Sequence, residues 1–510
     1  MNPFLMFADR DFDTGISLPW NEQALRADLG LDILLDAMAD GDSLVHEVVR
    51  VAVLTGPGND AATIAHRQAV LRDSLENVST VRELYDIAGE AIESKRRQYM
   101  GIWGNYPSSV LHSSVRLLDM YLELLKRLQA LAREHRDRFA SGGFRTFFAM
   151  IERELTPEYI QEIAHLLDTV RFSGGTLLSA GLRQGNTLGE YVLHDAPHQS
   201  RRRSLWRWLS GLFSHAPNRL VYRVPSRDEA GARALAELRD HAIQEVANAL
   251  AQSADHIENF FKTLRTEIAF YLGCVTLHAR LTRLGEPTCY PLPAPQGHGR
   301  FQCEELYEPA LALTGGRAVV GNSVVADGRN VVIVTGANRG GKSVFLRSVG
   351  IAQILMQCGM FAPARAFASD LCPAVVTHYK REEDPSLQSG KFDEELARLS
   401  EIVDHLTPNT ILLLNESFAA TNEREGSEIA RQVVTVLAES GMRVFFVTHL
   451  YAFARDAVQG LAGRVACFRA ERLPDGTRPF RIIPGEPLAT SFGRDLYDRV
   501  FTATQNGGGQ

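Results

Sequence analysis

The stretch VVIVTGANRGGKSVFLRSVG, residues 331–350, contains Gly336-x-x-x-x-Gly341-Lys342-Ser343. Glycines let a backbone wrap closely enough for its N–H groups to face phosphate oxygens. A lysine at this spacing reaches β- and γ-phosphates, and the serine hydroxyl is offered to Mg²⁺. The loop lies between a β-rich apolar run and a helical pattern. The helix N-terminus would therefore direct its partial positive charge at the anion. Gly336, Ala337, Asn338, Arg339, Gly340, Gly341, Lys342, Ser343 and Val344 are candidate contacts for a nucleoside triphosphate.

Two further strand ends carry chemistry. TILLLNES, residues 410–417, places Asn415-Glu416 after four apolar residues. In folds of this kind an Asp at the first position holds Mg²⁺ and the next Glu polarises the attacking water. Here Glu416 is the candidate base. Asn415 offers the metal a carbonyl oxygen without charge, which predicts weaker Mg²⁺ binding and slow turnover. RVFFVTHLY ends a third run, and His449 would face the same crevice, because ligands of open α/β sheets sit at the carboxyl ends of the strands. His449 is a candidate reader of the γ-phosphate.

The elements that must position these groups follow from pattern. From about 291, short β-rich runs alternate with helical segments, the signature of a mainly parallel sheet with crossover helices. Residues 1 to about 290 read as helical, with apolar residues three and four apart. The segment 170–225 is irregular, rich in glycine and short apolar runs. After Pro225 a capping box, Ser226-x-x-Glu229, opens a long helix. Its apolar stripe runs from Val246 to Val275, and some 55 residues would span roughly 80 Å. A break near Gly273 is the alternative.

Bulk properties set limits. The chain is long enough for two to four domains. A formal charge of −7 gives no global basic field, so any nucleic-acid contact would come from local patches. Six cysteines form no C-x-x-C and complete no zinc site, and free thiols in a reducing cytosol are expected. The first residues lack the pattern of a secretory signal, and no run of 18 apolar residues suggests a membrane span, so a cytoplasmic protein is expected.

Together the three motifs resemble the MutS family of DNA mismatch-repair ATPases. Thr335 to Val344 is similar to that family's TGPNMGGKST, Asn415-Glu416 to its DE, and Val447-Thr448-His449 to its ATH. Ser491-Phe492-Gly493 resembles its closing Ser-aromatic-Gly. The resemblance implies a P-loop ATPase domain of ABC type over 291–503 and a helical core and lever over 1–290, with 504–510 a disordered tail and 170–225 a clamp-like insertion. It implies ATP and Mg²⁺ as ligands. It also implies a homodimer formed through the ATPase domain, with double-stranded or branched DNA as partner. Ser389, Gly390, Phe392 and Glu395 look like remains of the signature loop that reaches a partner's nucleotide. NEREG, residues 422–426, resembles a loop of coupling and dimer contacts.

Departures from the family limit what carries over. The first hundred residues hold no Phe-x-Glu mismatch wedge, and Ala310 stands where some members stack adenine on an aromatic. A short, divergent member lacking the mismatch-recognition domain is expected. HQSRRRSLWRWLSGLF, residues 198–213, sets Arg201, Arg202, Arg203 and Arg207 around Trp206 and Trp208. Such a pattern suits nucleic acid, a solvated face or a membrane surface. Two other functions stay open: a nucleotide-gated scaffold for a protein partner with little hydrolysis, and an ATPase acting on structured RNA or ribosomes.

Overall fold

The computed structural model describes residues 1–99, 106–171, 177–182, 188–194, 228–380, 390–461 and 463–489. The Arg/Trp stretch at 201–208, Ser226, Ser389, Ser491-Phe492-Gly493 and the expected tail 504–510 lie outside the described residues.

Eight helices come first: α1 Glu22–Leu29, α2 Leu31–Ala39, α3 Ser43–Leu54, α4 Ala61–Glu76, α5 Val78–Tyr99, α6 Pro107–His135, α7 Gly142–Glu154 and α8 Pro157–Val170. Their starts follow capping chemistry. Asp42 accepts from the amides of Leu44 and Val45, and Asp60 from that of Thr63. Thr156 caps α8 with Pro157 behind it, where a missing N–H costs nothing. Within the irregular segment, β1 Leu177–Leu182 and β2 Leu188–His194 pair antiparallel. Helix α9, Glu229–Arg283, then runs 55 residues without a break. Gly273 does not interrupt it. A Cβ there would lie 2.7 Å from Val49 Cγ1, so the glycine lets α3 approach.

The remaining elements are β3 Leu292–Ala294, β4 Phe301–Leu306, α10 Pro309–Gly315, β5 Asn322–Val325, β6 Val331–Gly336, α11 Lys342–Gln357, β7 Ala366–Asp370, β8 Val375–Tyr379, α12 Lys391–Asp404, β9 Ile411–Asn415, α13 Glu423–Glu439, β10 Arg443–Val447, α14 Tyr451–Gly460, β11 Val465–Ala470 and β12 Ile482–Pro484. Six strands form one sheet in the order β12-β11-β6-β10-β9-β8, parallel except for β12. The chain is thus a helical region followed by an α/β domain with a mainly parallel sheet. Strands β6, β9 and β10 are buried on both faces, which is why their sequences read as unbroken apolar runs. One face, with Val331, Leu412, Leu414, Val444 and Phe446, packs on α12, α13 and α14. Helix α11 covers the other, where Gly350 leaves room for Leu413. A second sheet, β3-β7-β4-β5, is mixed. The alternating pattern did not predict it.

The chain divides into two compact units. One comprises Met1–Asn2, Glu83–Asp137 and Phe147–Arg265; in it Lys95 of α5 pairs with Asp255 at 2.6 Å and Glu258 at 2.5 Å on α9. The other comprises Pro3–Arg82, Arg138–Thr146 and Thr266–Gln510. Helices α1 to α4 belong to the unit that holds the six- and four-stranded sheets, and β1 and β2 belong to the other. Among the described residues, no helix is long and apolar enough to cross a membrane.

Residues 3–12, without helix or strand, are strapped into this second unit. Fully buried Glu267 of α9 accepts the amides of Leu5 at 2.7 Å and Phe12 at 2.9 Å. Tyr271 donates to Leu5 O, and buried Arg67 to Met6 O and Cys358 O. Burial pushes the Glu267 carboxyl up to about 7; the strap amides oppose this and nearby Asp11 adds to it. An acid raised in the folded state contributes stability that is complete below its ordinary value near 4.5 and is lost as pH rises through about 7. The stability of the protein relative to Glu267→Gln should therefore fall between about pH 5 and about pH 8, by roughly 3 kcal/mol. Denaturation of both proteins at the two pH values checks this. A pH-independent difference would contradict it.

Candidate nucleotide site

The 336–341 loop turns sharply out of β6 and enters α11. Gly336 has φ 102° and Gly341 φ 89°. A Cβ on Gly340 would lie 2.6 Å from Ala470 Cβ and 2.9 Å from Ala337 O. The loop therefore lies tightly against the end of β11, and only glycine fits. Asn338 and Arg339 form its crest, Arg339 exposed at φ 58°.

Lys342 is the first residue of α11 and is buried. Its Nζ donates to Gly336 O at 3.0 Å and Ala337 O at 3.1 Å. Burial lowers its ammonium to about 8; Glu416 opposes that shift and Arg478 adds to it. A desolvated cation set on loop carbonyls is ready to exchange them for phosphate oxygens.

The neighbouring groups converge on the same strand ends. Ser343 Oγ donates to Asn415 Oδ1 at 2.8 Å, across from the last residue of β9. Glu416 follows at φ 55°, its amide tied to Val447 O at 2.8 Å. Its Oε1 lies 2.8 Å from His449 Nε2. The hydrogen bond from His449 holds the Glu416 carboxyl below its ordinary range, against burial, with Lys342 and Lys380 assisting. Glu416 is thus an ionised, oriented carboxylate. His449, the candidate reader of the γ-phosphate, faces this carboxylate. Thr448 is buried, and its Oγ1 accepts the amide of Leu450 at 3.0 Å.

The donor set fits a triphosphate with Mg²⁺. The glycine cradle would be filled by any Cβ, a buried ammonium stands at its base, and two neutral oxygens, Ser343 Oγ and Asn415 Oδ1, meet at one point.

Other sequence candidates fall apart from this cluster. Gly390 is the N-cap of α12, Phe392 is half-buried on its first turn, and Glu395 is buried inside the fold. The sequence reading also missed residues that crowd the loop. Ala470 walls it, Phe480 at φ 61° places its backbone near Gly341, and Arg478 acts on Lys342. No local motif marks these positions. A small residue at the end of β11 was the one available signal.

Two family models match the chain: the MutS2 N-terminal domain over residues 59–284 and MutS domain V over residues 332–472. The chain belongs to the MutS family. The domain V match of this MutS-family chain encloses Lys342, Asn415, Glu416 and His449, and ends before Arg478 and Phe480. Relatives include Endonuclease MutS2 of Gemmatimonas aurantiaca, 25% identical over 53% of this chain and 34% of its own length. DNA mismatch repair protein MSH3 of Pyricularia oryzae is 24% identical over 75% of the chain and 34% of its own length. DNA mismatch repair protein MutS of Synechococcus elongatus is 32% identical over 29% of the chain and 17% of its own length. The chain spans about a third or less of the length of these relatives.

Proposed function

We propose that this MutS-family protein binds and hydrolyses ATP and uses the nucleotide state to clamp DNA. The observation that carries the reading is the meeting of Lys342, the Ser343–Asn415 pair and the Glu416–His449 pair at the carboxyl ends of β6, β9 and β10. Loop amides and Lys342 hold the phosphates. Ser343 and Asn415 would hold Mg²⁺, which would supply neutralisation of phosphate charge. Glu416 accepts the proton of the attacking water, and His449 fixes the direction of its carboxylate. Two copies joined through the α/β domain, residues 291–503, would share nucleotide, and α9 would carry the change to the helical region. The relatives named as DNA mismatch repair proteins support duplex or branched DNA as partner.

The test is Mg²⁺-dependent ATP hydrolysis by the purified protein, with and without duplex DNA. Turnover that changes with DNA supports the clamp. ATP binding without turnover favours a second reading, a nucleotide-gated scaffold for a protein partner, to which the uncharged Asn415 points. Turnover that responds to structured RNA but not to DNA would move the substrate to RNA. In the first reading Asn415→Asp should raise Mg²⁺ affinity by about threefold to tenfold, since each added carboxylate tightens a hard-cation site. A Mg²⁺ titration of turnover measures it, and an unchanged midpoint would take Asn415 away from the metal.

A further inference from the structure

Glu416 stands in an unusual turn. Glu416 at φ 55° and Phe418 at φ 64° are both left-handed without being glycine, and Ser417 lies between them. Such backbone persists only where its surroundings over-determine it. The surroundings here are specific, and all are buried.

Ser417 Oγ donates to His378 O at 2.9 Å and lies 2.7 Å from His378 Nδ1. His378 belongs to β8, one residue before the Tyr379–Asn415 register pair. Its Nε2 lies 3.3 Å from Glu395 O. Because the serine carries one proton, a ring protonated on Nε2 donates to the Glu395 carbonyl and accepts at Nδ1 only when that hydroxyl turns from His378 O to the ring. The Glu395 side chain turns the same way, and its Oε1 accepts the amide of Phe418 at 2.5 Å. Two arms therefore leave one residue of α12, one ending on Ser417 and the other on Phe418. They grip the residues on the C-terminal side of Glu416, while Val447 O and His449 hold its own amide and carboxylate. Ser417, His378 and Glu395 are respectively 0%, 1% and 5% exposed, so no water replaces these contacts.

We propose that Ser417, His378 and Glu395 are positioning residues that hold Glu416 in its working direction and make the chemical step depend on the seating of α12. The inference rests on the reading of Glu416 as the base. None of the hydrogen bonds just described ends on the nucleotide loop. Their loss should lower turnover and spare binding.

The experiment measures kcat, affinity for a non-hydrolysable ATP analogue, and amide exchange at 416–418 in Ser417→Ala, His378→Ala, Glu395→Ala and Glu395→Gln. Misdirecting a catalytic group by about 1 Å costs on the order of 100-fold, so kcat should fall about 10- to 100-fold in the alanine variants, with analogue affinity unchanged. Glu395→Gln keeps an oxygen for the Phe418 amide and should restore turnover. A general structural role would not produce that rescue. Should His378→Ala not fold, His378→Asn keeps a polar atom in the Nδ1 position and is expected to turn over near the normal rate. Normal kcat in both Ser417→Ala and Glu395→Ala would overturn the proposal. Glu416→Gln serves as the control: if it hydrolyses ATP normally, the reading of the base fails whatever these variants do. If the native protein binds ATP without turnover, amide exchange decides. Faster exchange at Phe418 in Glu395→Ala but not in Glu395→Gln supports the arms, and equal exchange removes them.

Discussion

Replacing Lys342 with alanine should weaken ATP binding by about 100-fold or more, because truncating one partner of a desolvated charge pair costs several kcal/mol and each 1.4 kcal/mol is tenfold. The ammonium sits inside the loop on two carbonyl oxygens, and burial has already lowered it to about 8. In the free protein that charge is poorly compensated. The cost of burying it is recovered when phosphate oxygens arrive. Lys342→Ala should therefore leave the melting temperature of the free protein unchanged or raise it while affinity collapses. Isothermal titration with ATP and thermal unfolding of the same sample separate the two effects. Normal affinity would remove Lys342 from the site. A collapse in both would mean that the lysine holds the loop rather than the ligand.

How much of this was legible in the sequence depends on how local each cause is. Strands β6, β9 and β10 announced themselves, since burial on both faces demands unbroken apolar runs. The loop glycines were legible because one tight turn needs them all within six residues. The second sheet was not. Its pair β3–β7 joins Leu292 to Ala368, and β4 reads FQCEEL, whose alternation lasts four residues before an irregularity between Cys303 and Leu306 breaks it. No motif in the local sequence marks Glu267 of α9. Its role comes from Leu5 and Phe12, more than 250 residues away in sequence. The site splits along the same line. Glu416 and His449 were each picked out as strand-end residues, but the hydrogen bond between them depends on β9 lying beside β10. Glu395 was read as a relic of a loop that reaches outward, yet it points inward to the Phe418 amide.

Glu416→Gln carries the other large effect. It should cut kcat by about 100-fold or more, the usual contribution of a general base, and leave ATP binding intact or tighter. The side chain keeps its length and keeps an oxygen for the hydrogen bond from His449, so the turn at φ 55° has no reason to relax. What disappears is the charge, which the His449 hydrogen bond and nearby Lys342 and Lys380 keep on the carboxyl. Removing a negative group near phosphates relieves repulsion, and the bound state should gain from it. His449→Ala should slow turnover less, since it removes the orientation of the carboxylate and not its basicity. The double variant should be no slower than Glu416→Gln alone, because residues acting through one group are not additive. Single-turnover hydrolysis and analogue binding on the three proteins decide it. Turnover in Glu416→Gln at the normal rate would send the search for the base elsewhere. Additive losses would mean that His449 acts on the phosphate independently, as the motif alone suggested.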